Sequence, residues 1–70
     1  MRDKTNLVFV NGQYKGEVYR NPRSKRLEWF TDRRGKEGFP ARATLDDVRD
    51  AIASVCLVDP SAVTFETAYY

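Results

Sequence analysis

The sequence predicts an α+β fold in which one helix packs on one face of an antiparallel sheet of three to five strands, in the order β-β-β-(β)-α-β. Short β-rich segments separated by turn residues come first. A segment with apolar residues at helical spacing follows, and an alternating segment ends the chain. Because one helix covers one face of a sheet, the 70 residues are expected to form a single small α+β domain, residues 1–70.

A hairpin is predicted near the start of the chain. Residues 7–10 are rich in β-forming side chains and end at Asn11-Gly12, a pair that accepts the positive φ angles of a type I′ turn. The pairing that this turn implies is Val10 with Gln13, Phe9 with Tyr14 and Leu7 with Gly16. Val18 then shares a face with Phe9. The second strand covers residues 13–20, and residues 1–6 are expected to fray.

A third strand is predicted over residues 26–31, between two turns. Residues 21–25 (NPRSK) and residues 32–36 (DRRGK) have the composition of turns. Because side chains alternate along a strand, one face of this strand carries Leu27, Trp29 and Thr31. The two turns therefore lie at opposite ends of it, roughly 20 Å apart.

Two further strands complete the sheet. Residues 37–43 are predicted as a short edge strand, because Pro40 has no N–H to donate to a central position. Residues 62–68 alternate between apolar and polar, with Val63 and Phe65 facing the core.

The helix has the strongest local signals. Thr44 is a favourable N-cap, and Asp47 three residues later forms an approximate capping box. Pro60 ends the helix within a few residues of Leu57. The apolar stripe at helical spacing consists of Leu45, Val48, Ile52, Val55 and Cys56.

The composition argues against an enzyme and against a bound metal or cofactor. The chain has no His and one Cys, so it lacks the common general base and the nitrogen and sulfur ligands of a tetrahedral metal site. Cys56 lies on the apolar stripe and is expected to be an inert core residue. We therefore expect no catalytic, cofactor-binding or metal-binding residues.

The chain is also expected to be a soluble protein of the cytoplasm. No apolar run approaches the roughly 20 residues that span a bilayer, and four apolar residues near the start are too few for a signal peptide. A domain of this size is marginally stable by buried area alone. Binding a partner, or a second copy as a homodimer, would add stability.

The charge is unevenly distributed along the chain. Residues 20–36 hold seven basic residues against Glu28 and Asp32, a formal charge of +5 in a chain of net charge +2. Residues 1–43 carry +6 and residues 44–70 carry −4. Such polarity indicates that an anionic partner docks toward the first part of the chain.

Three interpretations of the basic segment are open. It contacts a nucleic acid, it contacts an acidic protein surface, or its charges are ordinary solvated turns with Trp29 buried under the helix. Guanidinium groups bind phosphate and carboxylate, and exposed aromatic rings stack on bases. The candidate partner-binding residues are Arg20, Arg23, Lys25, Arg26, Trp29, Arg33, Arg34 and Lys36.

Two smaller features also have alternative interpretations. Asp46, Asp47 and Asp50 either form a docking patch for a basic partner or compensate the helix dipole, and the second is favoured. Tyr69 and Tyr70 are either the last strand residues, which is favoured, or an exposed sticky patch.

Residues 39–48 (FPARATLDDV) and 63–66 (VTFE) resemble a small phage module in which a strand leads into a Thr-capped helix and a closing strand. The module is similar to a podophage inhibitor of host RNA polymerase and to small anti-CRISPR proteins, which are non-enzymatic blockers. A second resemblance is to the arm-binding domains of phage-type integrases, which read the major groove with a three-stranded sheet. The strand predicted over residues 62–68 fits that second family poorly.

The resemblance and the charge distribution together predict a function. We expect a phage-type binding protein that obstructs a nucleic-acid-handling complex in the cytoplasm of its host, with residues 20–36 as the main contact. The partner would be a protein or a ribonucleoprotein. The alternative is a regulator that binds DNA or RNA directly through the same basic, aromatic-bearing sheet.

Overall fold

The computed structural model describes residues 4–69, and within this range it has one sheet and one α-helix. The elements in chain order are β1 (Lys4–Val10), β2 (Gln13–Arg20), β3 (Leu27–Thr31), β4 (Gly35–Gly38), α1 (Leu45–Cys56), a 3₁₀ turn (Pro60–Ala62) and β5 (Val63–Tyr69). Neighbouring strands pair antiparallel in the order β4-β3-β2-β1-β5. The predicted α+β fold is confirmed.

β1 and β2 form the predicted hairpin around Asn11 and Gly12, whose φ angles are 51° and 79°. The pairs next to the turn are the predicted ones, Val10 with Gln13 and Phe9 with Tyr14. β1 begins earlier than predicted, because residues 4–6 pair with β5 and do not fray. Residues 1–3, which were also expected to fray, lie outside the described residues.

A bulge in this hairpin overturns part of the predicted register. The pairing shifts between Leu7 and Phe9, so Leu7 faces Glu17, whereas Gly16 was predicted. The extra residue in β2 moves every later side chain of that strand to the opposite face. Val18 therefore lies on the helix side, where it is fully buried, and its predicted place beside Phe9 is wrong.

The fourth strand is earlier and shorter than predicted. It runs over Gly35–Gly38, where residues 37–43 were expected, because Gly35 takes a positive φ of 70° and closes the turn at once. Lys36 is consequently a strand residue opposite Phe30. Pro40 lies beyond the strand in a separate turn, in which the Ala43 N–H donates to its carbonyl at 3.0 Å.

The helix begins where the sequence predicts. The Asp47 N–H donates to Thr44 Oγ1 at 3.3 Å, and the Thr44 N–H donates to Asp47 Oδ2 at 2.9 Å, which completes the capping box. The helix ends at Cys56 and is capped by Leu57, whose φ of 58° is left-handed, and the Val58 N–H donates to the Ala53 carbonyl at 3.0 Å. Pro60 follows as the first residue of the 3₁₀ turn.

The core lies between α1 and the sheet face that carries Trp29. Its buried apolar members are Val8, Val10, Val18, Leu27, Trp29, Val48, Ile52, Ala53 and Val63. The predicted helix stripe is partly wrong, because Leu45 and Val55 are 37% and 42% exposed, and Ala53 is buried in their place. Cys56 packs against the core as predicted. The other face of the sheet has no helix over it in the described structure.

β5 confirms the prediction for the last segment, with bounds one residue later than expected. Val63 is buried and Phe65 packs against the core. Tyr69 is the last residue of the strand, whereas Tyr70 lies outside the described residues. The sheet order also separates the charges, because the basic segment reaches the β4 edge and the acidic residues 44–70 supply α1 and the β5 edge.

Candidate functional site

The two basic turns lie at opposite ends of β3, as predicted. β3 has five residues, which at the usual strand rise separate its ends by roughly 17 Å. We call residues 21–26 the first turn and residues 32–34 the second turn. A partner that contacts both must therefore present an extended surface.

The first turn is held in shape by its own hydrogen bonds. Asn21 Oδ1 accepts from the Arg23 N–H at 2.8 Å, and the Lys25 N–H donates to the Asn21 carbonyl at 2.8 Å. Arg20 Nη1 donates to the Lys25 carbonyl at 2.7 Å. These bonds fix the backbone and leave the side chains of Arg23, Lys25 and Arg26 exposed to solvent.

The second turn is tied to the sheet through Arg34. The Arg34 N–H donates to Thr31 Oγ1 at 2.9 Å, and Arg34 Nη2 contacts Glu37 Oε1 at 3.2 Å. The guanidinium carbon lies 5.8 Å from the centroid of the Trp29 ring. Arg34 thus lies over the Trp29 ring at this end of the core, and both Arg34 and Arg33 beside it are exposed to solvent.

Trp29 differs from the other predicted contact residues. Its side chain is 3% exposed, and its Nε1 donates to the Lys15 carbonyl at 2.9 Å. The ring is therefore a core residue and cannot stack on a partner while this fold is intact. The remaining predicted contacts are exposed, namely Arg20, Arg23, Lys25, Arg26, Arg33, Arg34 and Lys36.

An open apolar cavity lies beside the second turn. It has a volume of about 390 Å³, within the size range of small-molecule pockets. Tyr14 and Val55 contribute exposed apolar surface to it, and Trp29 and Cys56 line it more deeply. Its basic lining residues are Lys15, Arg33 and Arg34. Apolar surface and guanidinium groups are therefore combined at this end of the molecule.

The first turn borders a different and more polar recess. Arg26, Glu28 and Phe39 line this space of about 580 Å³ together with Pro40. Glu28 Oε2 accepts from Asn21 Nδ2 at 3.2 Å. The two turns therefore offer unequal contacts, with apolar anchoring at the second turn and mainly charge at the first.

Two carboxylates also lie close enough to Tyr14 to affect its phenol electrostatically. The pKa of the Tyr14 phenol is raised, first because partial burial disfavours the phenolate, and then because Glu17 and Asp32 are negatively charged. The Tyr14 ring packs edge-on against Phe9, with centroids 6.0 Å apart. These carboxylates oppose a phosphate group near Tyr14.

Sequence reasoning missed Tyr14 and Val55 as site residues. Val55 was assigned to the core because it falls on the helical stripe, but the helix ends one residue later, and there the sheet no longer covers it. Leu57, which caps the helix, is also exposed and has a positive φ, a conformation that a large apolar residue rarely adopts and that the sequence did not indicate.

Comparison with known protein families, curated proteins and solved structures finds no match to this chain. Within residues 4–69, neither helical segment has the length and apolar character needed to cross a membrane. Over the same range, no three side chains of the metal-binding types lie close enough together to hold an ion. The site is therefore interpreted from its own geometry.

Proposed function

We propose that this chain is a small non-enzymatic protein that binds an acidic protein surface in a nucleic-acid-handling complex of a host cell and obstructs it in the cytoplasm. The observation that carries the proposal is the apolar cavity bordered by Arg33 and Arg34. Arginine and aromatic residues around a desolvated apolar pocket are the usual composition of interface hot spots. The cavity would receive one projecting apolar side chain of the partner.

The charge distribution supports the same proposal. Arg23, Lys25 and Arg26 extend the contact to the far end of β3, so carboxylates of the partner at both ends would fix its orientation. The resemblance of residues 39–48 and 63–66 to phage-borne inhibitors adds the expectation of obstruction, of the anti-CRISPR or RNA polymerase inhibitor kind.

Direct binding to DNA or RNA is the second candidate. The exposed rings of Tyr14 and Phe30 favour it, because base stacking on such rings contributes about 1–3 kcal/mol each. Glu17 lies opposite Phe30 in β3 and is also one of the carboxylates that raise the pKa of Tyr14. A phosphate chain that stacks bases on both rings would have to cross that carboxylate, whereas a protein partner can place an apolar side chain here and its carboxylates at the two turns, so the protein partner is favoured.

Capture from host lysate by the immobilised protein separates the two candidates. We expect recovery of a protein or ribonucleoprotein complex, weakened by Val55→Ser, which reduces the apolar wall of the cavity. Leu45→Ser is the matched control, because Leu45 is similarly exposed on the same helix and does not line the cavity.

A gel-shift assay with labelled single strand and duplex completes the test. If these probes bind at micromolar concentration with a steep salt dependence, and lysate yields no partner, the proposed function is wrong and the second candidate stands. Equal capture by Val55→Ser and Leu45→Ser would show that the cavity is not the contact.

A further inference from the structure

The two edges of the sheet differ in how well they are protected against strand pairing. β4 is four residues long, is bounded by glycines and carries the charged pair Lys36 and Glu37. β5 has seven residues, five of which are of types that favour strands, with Glu66 as its charge and with no proline or lysine. Its pairing with β1 is continuous, without a bulge. Natural edge strands usually carry such protection, and β5 lacks it.

The hydrogen bonds show which β5 groups point away from the sheet. The Asn11 N–H donates to the Ala62 carbonyl at 3.0 Å, so the backbone groups of Ala62 face β1. From Ala62 onward, the backbone groups of successive β5 residues point alternately away from β1 and toward it. The amides and carbonyls of Val63, Phe65, Thr67 and Tyr69 therefore point outward. Those of Val63 are used within the chain, by the Pro60 carbonyl and by Arg49 Nε at 3.2 Å.

The outward groups of Phe65, Thr67 and Tyr69 have no protein partner among residues 4–69. The side chains of Thr67 and Tyr69 are exposed, with 61% of Tyr69 accessible, so no described element covers this edge. Three alternate residues thus present a short, uncovered row of backbone donors and acceptors.

We propose that β5 pairs antiparallel with β5 of a second copy around a two-fold axis at Thr67, which makes one continuous sheet across a homodimer. Thr67 then faces Thr67 of the second copy, and Phe65 faces Tyr69 of the second copy. Each facing pair exchanges both of its N–H···O bonds. Because the two-fold contact uses the same edge on both copies, it closes on itself and leaves the protected β4 edges outside.

This register is the favourable one among those that the outward groups permit. It places Glu66 opposite Ala68 of the second copy, whereas a shift centred on Glu66 would oppose two carboxylates. A shift centred on Phe65 would require the outward groups of Val63, which Arg49 and Pro60 already occupy. A shift centred on Ala68 would place Thr67 opposite Tyr69 of the second copy, so Phe65 would no longer face that tyrosine.

The side chains in this register are complementary as well. Phe65 and Tyr69 of the second copy form an aromatic cross-strand pair on the helix side, a favourable combination in antiparallel sheets. The Arg49 guanidinium already lies 5.3 Å from the Phe65 ring centroid, so the incoming tyrosine ring would also approach a cation. The contact would cover the exposed ring of Tyr69.

Sedimentation equilibrium over a concentration series up to millimolar tests the proposal. We expect the wild-type mass to move from monomer to dimer, and Thr67→Pro to stay monomeric. The proline removes an N–H that points away from β1, so the sheet of the monomer keeps its bonds. Thr67→Lys, which places two ammonium groups at the axis, is the second variant. Thr64→Lys is the control on the opposite face of β5 and should dimerise like wild type.

Isotope-filtered nuclear Overhauser effects in a mixed labelled and unlabelled sample test the register. We expect contacts between Phe65 of one copy and Tyr69 of the other. A wild-type protein that remains monomeric at millimolar concentration would overturn the proposal. This holds even if its β5 pairs with an extended peptide of another protein. Dimers of Thr67→Pro and Thr67→Lys as strong as wild type would also overturn it.

Discussion

The indole Nε1 of Trp29 donates a hydrogen bond to the backbone carbonyl of Lys15, at 2.9 Å. Lys15 lies in the bulged part of β2, where the register against β1 shifts. The bond satisfies the polar atom of a buried ring and joins the third strand to the bulge. The same contact thus explains why the tryptophan belongs to the core and how the irregular strand is held.

Replacing this tryptophan should destabilise the fold measurably. Trp29→Phe keeps most of the ring but leaves the Lys15 carbonyl without its donor, so we expect a loss of about 1–3 kcal/mol in unfolding free energy. Urea denaturation followed by circular dichroism measures it, since the variant lacks the single tryptophan. Tyr14→Phe is the control, because 57% of Tyr14 is exposed and its hydroxyl removal should change stability by less than about 0.5 kcal/mol. Equal losses in both variants would show that the buried bond does not matter.

The bulge also depends on Gly16. Its φ is +103°, and an added Cβ would lie 2.2 Å from the Phe30 carbonyl oxygen, which belongs to the rigid backbone of β3. We expect Gly16→Ala to prevent stable folding. Gly12→Ala is the matched control, because its φ of +79° is also unfavourable but its Cβ would meet open space, at a cost of about 1–2 kcal/mol. Equal melting temperatures for Gly16→Ala and Gly12→Ala would contradict this explanation of the bulge.

The apolar stripe of α1 contains buried and exposed positions, which contribute differently to the free energy of unfolding. Ile52 is fully buried, so Ile52→Ala should cost about 2–5 kcal/mol, a large share of the stability of so small a domain. Val55→Ala removes apolar surface from a residue that is 42% exposed and should cost much less. Chemical denaturation of both variants measures the difference. If Ile52→Ala melts within a degree or two of wild type, α1 does not pack through this face.

Tyr14 provides a prediction at alkaline pH. Its pKa is raised in the folded state, mainly by partial burial and further by Glu17 and Asp32. The neutral phenol is therefore favoured by folding. The contribution of the neutral phenol to the free energy of unfolding is fully present below the pKa of Tyr14 in the unfolded chain, about 10. It is lost as the pH rises through the higher pKa of Tyr14 in the folded protein. In NMR titrations, Glu17→Gln should lower the pKa of Tyr14 toward its ordinary value. A Tyr14 that already ionises at that value in wild type would contradict the structure.

The sequence predicted those parts of the fold that depend on neighbouring residues. Asn11-Gly12 and the Thr44–Asp47 capping box act over two to four residues, and both are present. The strand register beyond the Phe9–Tyr14 pair, on the side away from the turn, depends on a bulge that contacts β3, which lies far away in sequence. Gly16 inside an otherwise regular strand was the available signal, since an isolated glycine there often marks a bulge.

The candidate site was predicted less completely. The positions of the two basic turns follow from strand alternation and turn composition, and both predictions of place are correct. Which aromatic side chains reach the surface could not be read in the same way, because the face covered by α1 is decided by the whole sheet. Trp29 was therefore placed in the site and Tyr14 was not. The exposure of Val55 depends on where the helix ends relative to β3.

If the two turns act together on one anionic protein surface, removing charge from either turn will weaken capture of the partner from host lysate. The end of β3 near the second turn is altered by Arg33→Ala with Lys36→Ala in β4, which leaves Arg34 over Trp29. The first turn is altered by Arg23→Ala with Lys25→Ala. The control, Lys4→Ala with Arg42→Ala, removes the same charge outside residues 20–36. None of these exposed charges should affect the melting temperature much.

Mass spectrometry of the captured partner gives the result. We expect each turn variant to recover clearly less partner than the control variant, because an extended contact loses affinity when either end is removed. Equal recovery by all three variants would show that the basic segment is only a solvated surface and would contradict the account.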